Sequence, residues 1–153
     1  MKNFSVLVNN LGSSQLSFFI IKEINAIPTL RPEIDGMVFY ENLSSACLPL
    51  NFAAMNMSEC WCHSGPIIAT SFSTAETMAG FPAEKKVFYI WDLEWMRSNN
   101  KKQYEQYRDV YTNESIQLIA RSEAHKDSVE NAFNRKVNCV IPDFNLNKIL
   151  EVI

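Results

Sequence analysis

Short apolar runs and longer amphipathic stretches alternate along the chain. The short runs are rich in β-branched and aromatic residues, which is typical of buried strands, while the longer stretches repeat apolar residues at helical spacing. Strands that alternate with helices form parallel sheets, because parallel neighbours need a long crossover connection. The pattern therefore predicts an α/β fold: a Rossmann-like three-layer sandwich with a mostly parallel sheet of about six strands, in one domain over residues 1–153.

Capping and breaking residues set the boundaries of the predicted elements. Ser13 or Ser14 can cap the first helix, which we expect to end at Pro28. Ser73 and Glu76 have the spacing of a capping box, in which each side chain accepts a backbone N–H of the other residue. We predict strands at 4–8, 36–40, 66–71, 86–91, 115–120 and 136–141, and helices at 14–28, 51–63, 73–80, 99–113, 122–133 and 145–153.

Composition and charge restrict the classes of protein to which the chain can belong. Of the 153 residues, 47% are hydrophobic and 20% are charged, so the chain can bury a core without disulfides. A formal net charge of -3 disfavours nucleic acid as a partner. No apolar run reaches the roughly 18–20 residues that span a bilayer, so we predict no membrane span. With four cysteines and no long apolar run at the start, we expect a cytoplasmic protein.

Cys60, Cys62 and His63 have the composition of one half of a zinc site. A structural zinc site needs four ligands, and only the distant Cys47 and Cys139 could add thiolates. We therefore predict unreactive thiols, no metal site and no cofactor.

Ser-rich and Thr-rich turns follow several of the predicted strands. Ligands of an open parallel sheet bind at the carboxyl ends of its strands, where loops and helix N-termini converge. Free backbone N–H groups at those helix starts favour phosphate, carboxylate or sugar oxygens. The alternative for each serine is that it only caps its own helix. The predicted ligand-binding residues at this edge are Gly12, Ser13, Ser73, Thr74, Glu76, Trp95, Ser122 and Glu123.

Three side chains at the same edge are candidates for catalysis. Asp92 and Glu94 follow the strongest strand prediction, and one could deprotonate an acceptor hydroxyl while the other binds sugar hydroxyls. The alternative is that one carboxylate pairs with Arg97 or Arg121 and the other caps a following turn. His125 lies in the first turn of a helix, which would lower its pKa and keep it neutral as a base, or it is an ordinary surface residue.

The order of these motifs resembles the N-terminal lobe of two-lobed, GT-B type glycosyltransferases. The resemblance is carried by Gly12-Ser13 and by residues 67–75, 86–95 and 119–123, and the run VFYIWDLEW is similar to a stretch of rhamnosyltransferase-type members. It implies that this lobe holds a sugar or glycan acceptor. In the family a C-terminal lobe holds the nucleotide sugar, and this sequence has no counterpart of it.

We therefore expect a glycosyltransferase-like single-lobe protein that binds a sugar or glycan acceptor. Transfer would need a donor site from a second chain or from a homo-oligomer. One alternative is a non-catalytic carbohydrate-binding or protein-interaction module derived from such a lobe. Another is an unrelated small α/β protein that binds a nucleotide or a phosphosugar, since a fold alone does not fix a function.

Overall fold

Seven parallel strands form one sheet in the computed structural model, which describes residues 2–153. The predicted α/β class is confirmed, with one strand more than expected. The strands are β1 (Lys2–Val8), β2 (Ile34–Tyr40), β3 (Ala53–Asn56), β4 (Ile67–Ala69), β5 (Lys86–Ile90), β6 (Ile116–Ala120) and β7 (Cys139–Val140). The α-helices are α1 (Gln15–Leu30), α2 (Phe72–Ala79), α3 (Lys101–Tyr111), α4 (Glu123–Phe133) and α5 (Leu146–Val152), and short 3₁₀ turns cover Met57–Cys62, Glu94–Arg97 and Pro142–Phe144.

The strand order is β3-β2-β1-β4-β5-β6-β7. Successive side chains of a strand point to opposite faces, so each face of the sheet has its own apolar layer. One layer includes Leu7 and Phe88 and is covered by α2, α3 and α4. The other includes Val6 and Val87 and is covered by α1 and α5. None of the helices in residues 2–153 combines the length and apolar character needed to cross a bilayer.

The helix predicted over residues 51–63 is wrong. The segment forms β3, which pairs in parallel with Met37–Tyr40 of β2, followed by the 3₁₀ turn Met57–Cys62. The Asn56 side chain accepts the N–H of Ser58 at 3.0 Å and starts that turn. Short apolar runs are ambiguous between helix and strand, and here pairing with the edge of β2 decides the outcome.

The first helix extends beyond its predicted end. Ser14, one of the two predicted caps, accepts the N–H of Ser17 at 3.0 Å. Pro28 lies inside the helix, which continues to Leu30. Proline removes one backbone hydrogen bond, but the buried face of α1, including Ile24 and Ile27, packs on the sheet and holds the last turn in place.

The predicted capping box of α2 is shifted by two residues. Ser71, not Ser73, is the N-cap: its hydroxyl accepts the N–H of Thr74 at 3.3 Å, and the Thr74 hydroxyl accepts the N–H of Ser71 at 3.0 Å. Threonine can replace the usual glutamate because its oxygen reaches the cap from the third helical position. Glu76 is exposed and has no part in the cap.

Candidate functional site

The carboxyl ends of β1, β4, β5 and β6 lie at one edge of the sheet because the strands are parallel. All the sequence-predicted site residues lie at this edge or in the helices that begin there. The strand order reverses between β1 and β4, and such a reversal opens a crevice beside the carboxyl ends of the two strands.

Asn9, Glu41 and Ser73 form a polar group that we name the switch-point cluster. The Asn9 amide donates to Glu41 Oε2 at 2.5 Å and to Ser73 Oγ at 2.7 Å. The Ser73 hydroxyl also donates to Glu41 Oε2 at 3.4 Å. The first turn of the predicted edge begins at Asn9, but neither Asn9 nor Glu41 is among the predicted site residues; the available signal is that each follows a predicted strand directly. The cluster joins the ends of β1, β2 and β4.

A crevice of about 170 Å³ lies beside this cluster, between the end of β1 and the start of α1. Asn10, Ser14 and Thr70 contribute polar groups to its lining. Gly12 closes the loop above it, where its N–H donates to Asn10 Oδ1 at 2.9 Å. A Cβ at Gly12 would lie 3.0 Å from that same oxygen, so a larger residue there would require the Asn10 side chain to shift slightly. Ser13, next to it, is exposed.

Glu94 lies between the end of β5 and the start of α2. Its Oε1 accepts the N–H of Phe72, in the first turn of α2, at 2.9 Å. Burial raises the pKa of Glu94, and the bond from Phe72 opposes that change. Thr74 is buried, with its hydroxyl in bonds to Thr70 and Ser71. The N-terminus of α2 is therefore already occupied by the Glu94 carboxylate and by the capping hydroxyls of Ser71 and Thr74.

Asp92 forms an ion pair with Arg97. Its two oxygens accept from the guanidinium at 2.6 and 3.3 Å, and Oδ1 also accepts the N–H of Leu93 at 2.8 Å. The hydrogen bonds from Arg97 are the main reason that the pKa of Asp92 is lowered. This is the arrangement given above as the alternative to catalysis. A carboxylate with these partners is a weak proton acceptor.

Side-chain contacts connect the ends of β5 and β6. They involve Trp91, Arg121, Ser122 and His125. The Arg121 guanidinium lies 4.1 Å from the centre of the Trp91 ring and donates to the Trp91 carbonyl at 3.3 Å. Ser122 caps α4, which is the alternative given above for each serine, and its Oγ lies 2.8 Å from His125 Nδ1. Burial, followed by the Arg121 charge, lowers the pKa of His125 and so favours its neutral form. Glu123 is exposed in the first turn of α4.

Trp95 packs against the core that contains the buried Cys60, whereas Cys62 is exposed. The Trp95 ring packs edge-on against Phe133 with centroids 5.2 Å apart, and its Nε1 is buried without a hydrogen-bond partner among residues 2–153. All four cysteines are free thiols. Burial raises the pKa of Cys60 to about 11, so this thiol stays protonated at neutral pH. No group of three or more His, Cys, Asp or Glu side chains in the described part of the chain has the geometry to hold a metal ion.

The fold and this edge define an α/β protein with Rossmann-like strand order and polar groups at the strand reversal. Comparison with known proteins gives no significant match, whether to a family model, to a curated protein or to a solved structure.

Proposed function

We propose that the chain binds a sugar or glycan acceptor at the switch-point cluster, as a glycosyltransferase-like single lobe. The observation that carries this proposal is the combination of one carboxylate, one amide and one hydroxyl at the strand reversal. Sugar hydroxyls can donate to the free lone pairs on the oxygens of these three groups, while the N–H and O–H donors of the cluster are used within it. The motif resemblance to acceptor-side lobes supports the same ligand class.

The charges around the cluster favour a neutral ligand over a phosphate. Glu41 is part of the cluster, and Glu94 occupies the N-terminus of α2, where a phosphate would otherwise be stabilised. A phosphate placed there would face two carboxylates, and like charges repel strongly where water is partly excluded. Sugar hydroxyls can instead donate to the same carboxylates.

The three candidate catalytic side chains support a binding role for this chain. Asp92 is paired with Arg97, Glu94 accepts from Phe72, and His125 contacts Ser122. The hydrogen bonds from Arg97 make Asp92 a weak proton acceptor, and the other two side chains are held by contacts within this chain. We therefore propose that glycosyl transfer occurs only when a second chain or another copy of this chain supplies the donor site. A cytoplasmic location is part of the proposal and is supported by the four free thiols.

Calorimetric titration and thermal unfolding with matched ligand pairs test the proposal. Glucose and rhamnose are compared with glucose 1-phosphate and uridine diphosphate. We expect the neutral sugars to bind and to raise the unfolding temperature, because ligand binding to the folded state increases stability. Asn9→Ala and Glu41→Gln should each weaken sugar binding about tenfold, since the first removes the amide and the second removes the charge and replaces one acceptor oxygen by a donor. The exposed Glu114→Gln serves as the control and should bind sugar unchanged.

One observation favours phosphosugar binding as a second candidate. The N-terminus of α1 borders the crevice and has no acidic residue in its first turn. Tighter binding of glucose 1-phosphate than of glucose would therefore replace the first proposal with this one. Binding of neither compound, or sugar binding that Asn9→Ala and Glu41→Gln leave intact, would refute the switch-point cluster as the acceptor site.

A further inference from the structure

A cavity larger than the crevice beside β1 lies at the edge of the sheet opposite the switch-point cluster. This amino-edge cleft has a volume of about 550 Å³, within the usual range for small-molecule sites. It extends along the amino ends of β2, β1, β4 and β5, next to α5. The cleft is separate from the proposed acceptor site, because the amino ends and the carboxyl ends of parallel strands lie at opposite edges of the sheet.

Each end of the amino-edge cleft carries a cation and a carboxylate. Arg31 and Glu33 lie just before β2, and Glu84 and Lys85 lie just before β5. Arg31 is held by Asn147 and Glu151 of α5, at 2.6 and 3.1 Å, whereas the other three side chains are exposed. A ligand with one positive and one negative end would find an opposite charge at either end of the cleft.

The middle of the cleft is apolar with a few polar groups. Ile34, Pro66 and Leu150 contribute the apolar surface, and the exposed Asn3 and Ser64 side chains can bond amide groups. The cleft crosses the three strand intervals from β2 to β5, about 14 Å at the usual strand spacing. An extended peptide of about four residues has the same length.

We propose that the amino-edge cleft binds a short extended peptide of about four residues, with free charged ends and apolar side chains. Its carboxylate pairs with the exposed Lys85, because Arg31 is already paired with Glu151, and its ammonium group pairs with Glu33 at the opposite end. The apolar side chains contact Ile34 and Leu150. Single amino acids are too short to reach both charged ends.

Calorimetric titration with Ala-Leu-Leu-Ala tests this proposal. We expect binding that weakens about fivefold when the amino end is acetylated and again when the carboxyl end is amidated, because exposed charge pairs each contribute modestly. Lys85→Glu and Glu33→Lys should each weaken binding of the uncapped peptide by at least as much. The matched controls are Lys102→Glu and Glu114→Lys, which reverse exposed charges outside the cleft and should have no effect.

Each of the following results would overturn the peptide site. They are no binding of the tetrapeptide, equal binding of its doubly capped form, and equal losses in the cleft variants and their controls. Leucine or octylamine binding as tightly as the tetrapeptide would likewise contradict a site that needs both charged ends. Sugar binding at the switch-point cluster is measured on the same variants, so failure of the peptide site is distinguishable from failure of the acceptor site.

Discussion

Asp92 and Glu94 are two residues apart, and their surroundings give them opposite properties. Asp92 is half exposed and paired with a guanidinium, so its pKa is lowered. Glu94 is turned towards α2, and burial raises its pKa. Their position at a strand end was predictable from sequence, whereas their partners depend on how the following 3₁₀ turn packs. Two carboxylates that look equivalent in sequence therefore have different roles.

Replacing Glu94 tests its contact with α2. Glu94→Ala should lower the free energy of unfolding by about 1–2 kcal/mol, because it removes a carboxylate from a helix N-terminus and leaves the Phe72 N–H without that acceptor. Glu94→Gln keeps an oxygen acceptor and should cost less. Urea unfolding measures the stability of both variants. Asp92→Ala is the control, and we expect it to lower the free energy of unfolding by less than Glu94→Ala does.

The pH dependence of the Glu94→Gln variant adds a second measurement. The pKa of Glu94 is higher in the folded chain than its ordinary value of 4.5, so the unfolded chain releases this proton first as pH rises. The wild-type protein should therefore lose stability relative to Glu94→Gln as pH rises through that interval. A wild-type protein that gains stability relative to the variant over the same interval would contradict the buried environment of Glu94.

At the scale of the element, local signals placed most helices and strands but not all their ends. The hydroxyl-rich turn before α2 offers several caps, and Ser71 is chosen because its backbone leaves β4 in the extended conformation that an N-cap requires. Ser73 is then free to bond Asn9. The segment after β2 similarly shows a mixed local pattern that strand pairing resolves.

The position of the α2 cap leads to a stability prediction. Ser71→Ala should cost about 1 kcal/mol of unfolding free energy, since it removes the acceptor of the Thr74 N–H. Ser128→Ala, in the middle of α4, should change stability by less than about 0.5 kcal/mol, because alanine is the better helix former there. Chemical denaturation of the two variants compares them directly. Equal losses would argue against Ser71 as the cap.

At the scale of the whole molecule, one buried side chain holds the C-terminal segment against the sheet. The Tyr89 hydroxyl donates to the Ile141 carbonyl at 2.7 Å and accepts the N–H of Phe144 at 3.0 Å. Asp143 and Phe144 both have positive φ angles, of 55° and 50°. Such backbone is costly outside glycine, so the surrounding structure must stabilise it. Tyr89 thereby connects the centre of the sheet to the turn that precedes α5.

Removing this hydroxyl should destabilise the protein. Tyr89→Phe leaves a buried carbonyl and a buried N–H without their partner, and we expect a loss of about 1–3 kcal/mol. Tyr104→Phe is the matched control, because this ring is 37% exposed and lies on the surface of α3. It should leave stability nearly unchanged in thermal and urea unfolding. A loss for Tyr104→Phe as large as that for Tyr89→Phe would contradict a stabilising role for the hydrogen bonds of the Tyr89 hydroxyl.

The sequence by itself determined the α/β class, the alternation of strands and helices, and the edge at which the polar turns meet. These features depend on hydrophobic periodicity and on caps, which act between residues a few positions apart. Only the tertiary structure decided the pairing of β3, the partners of Asp92 and Glu94, the switch-point cluster and the amino-edge cleft. Asn9 bonds side chains 32 and 64 residues away, and the lining of the cleft comes from segments spread from Asn3 to Ile153. Such contacts arise from the packing of distant strands, and no local pattern records which distant residue each group will meet.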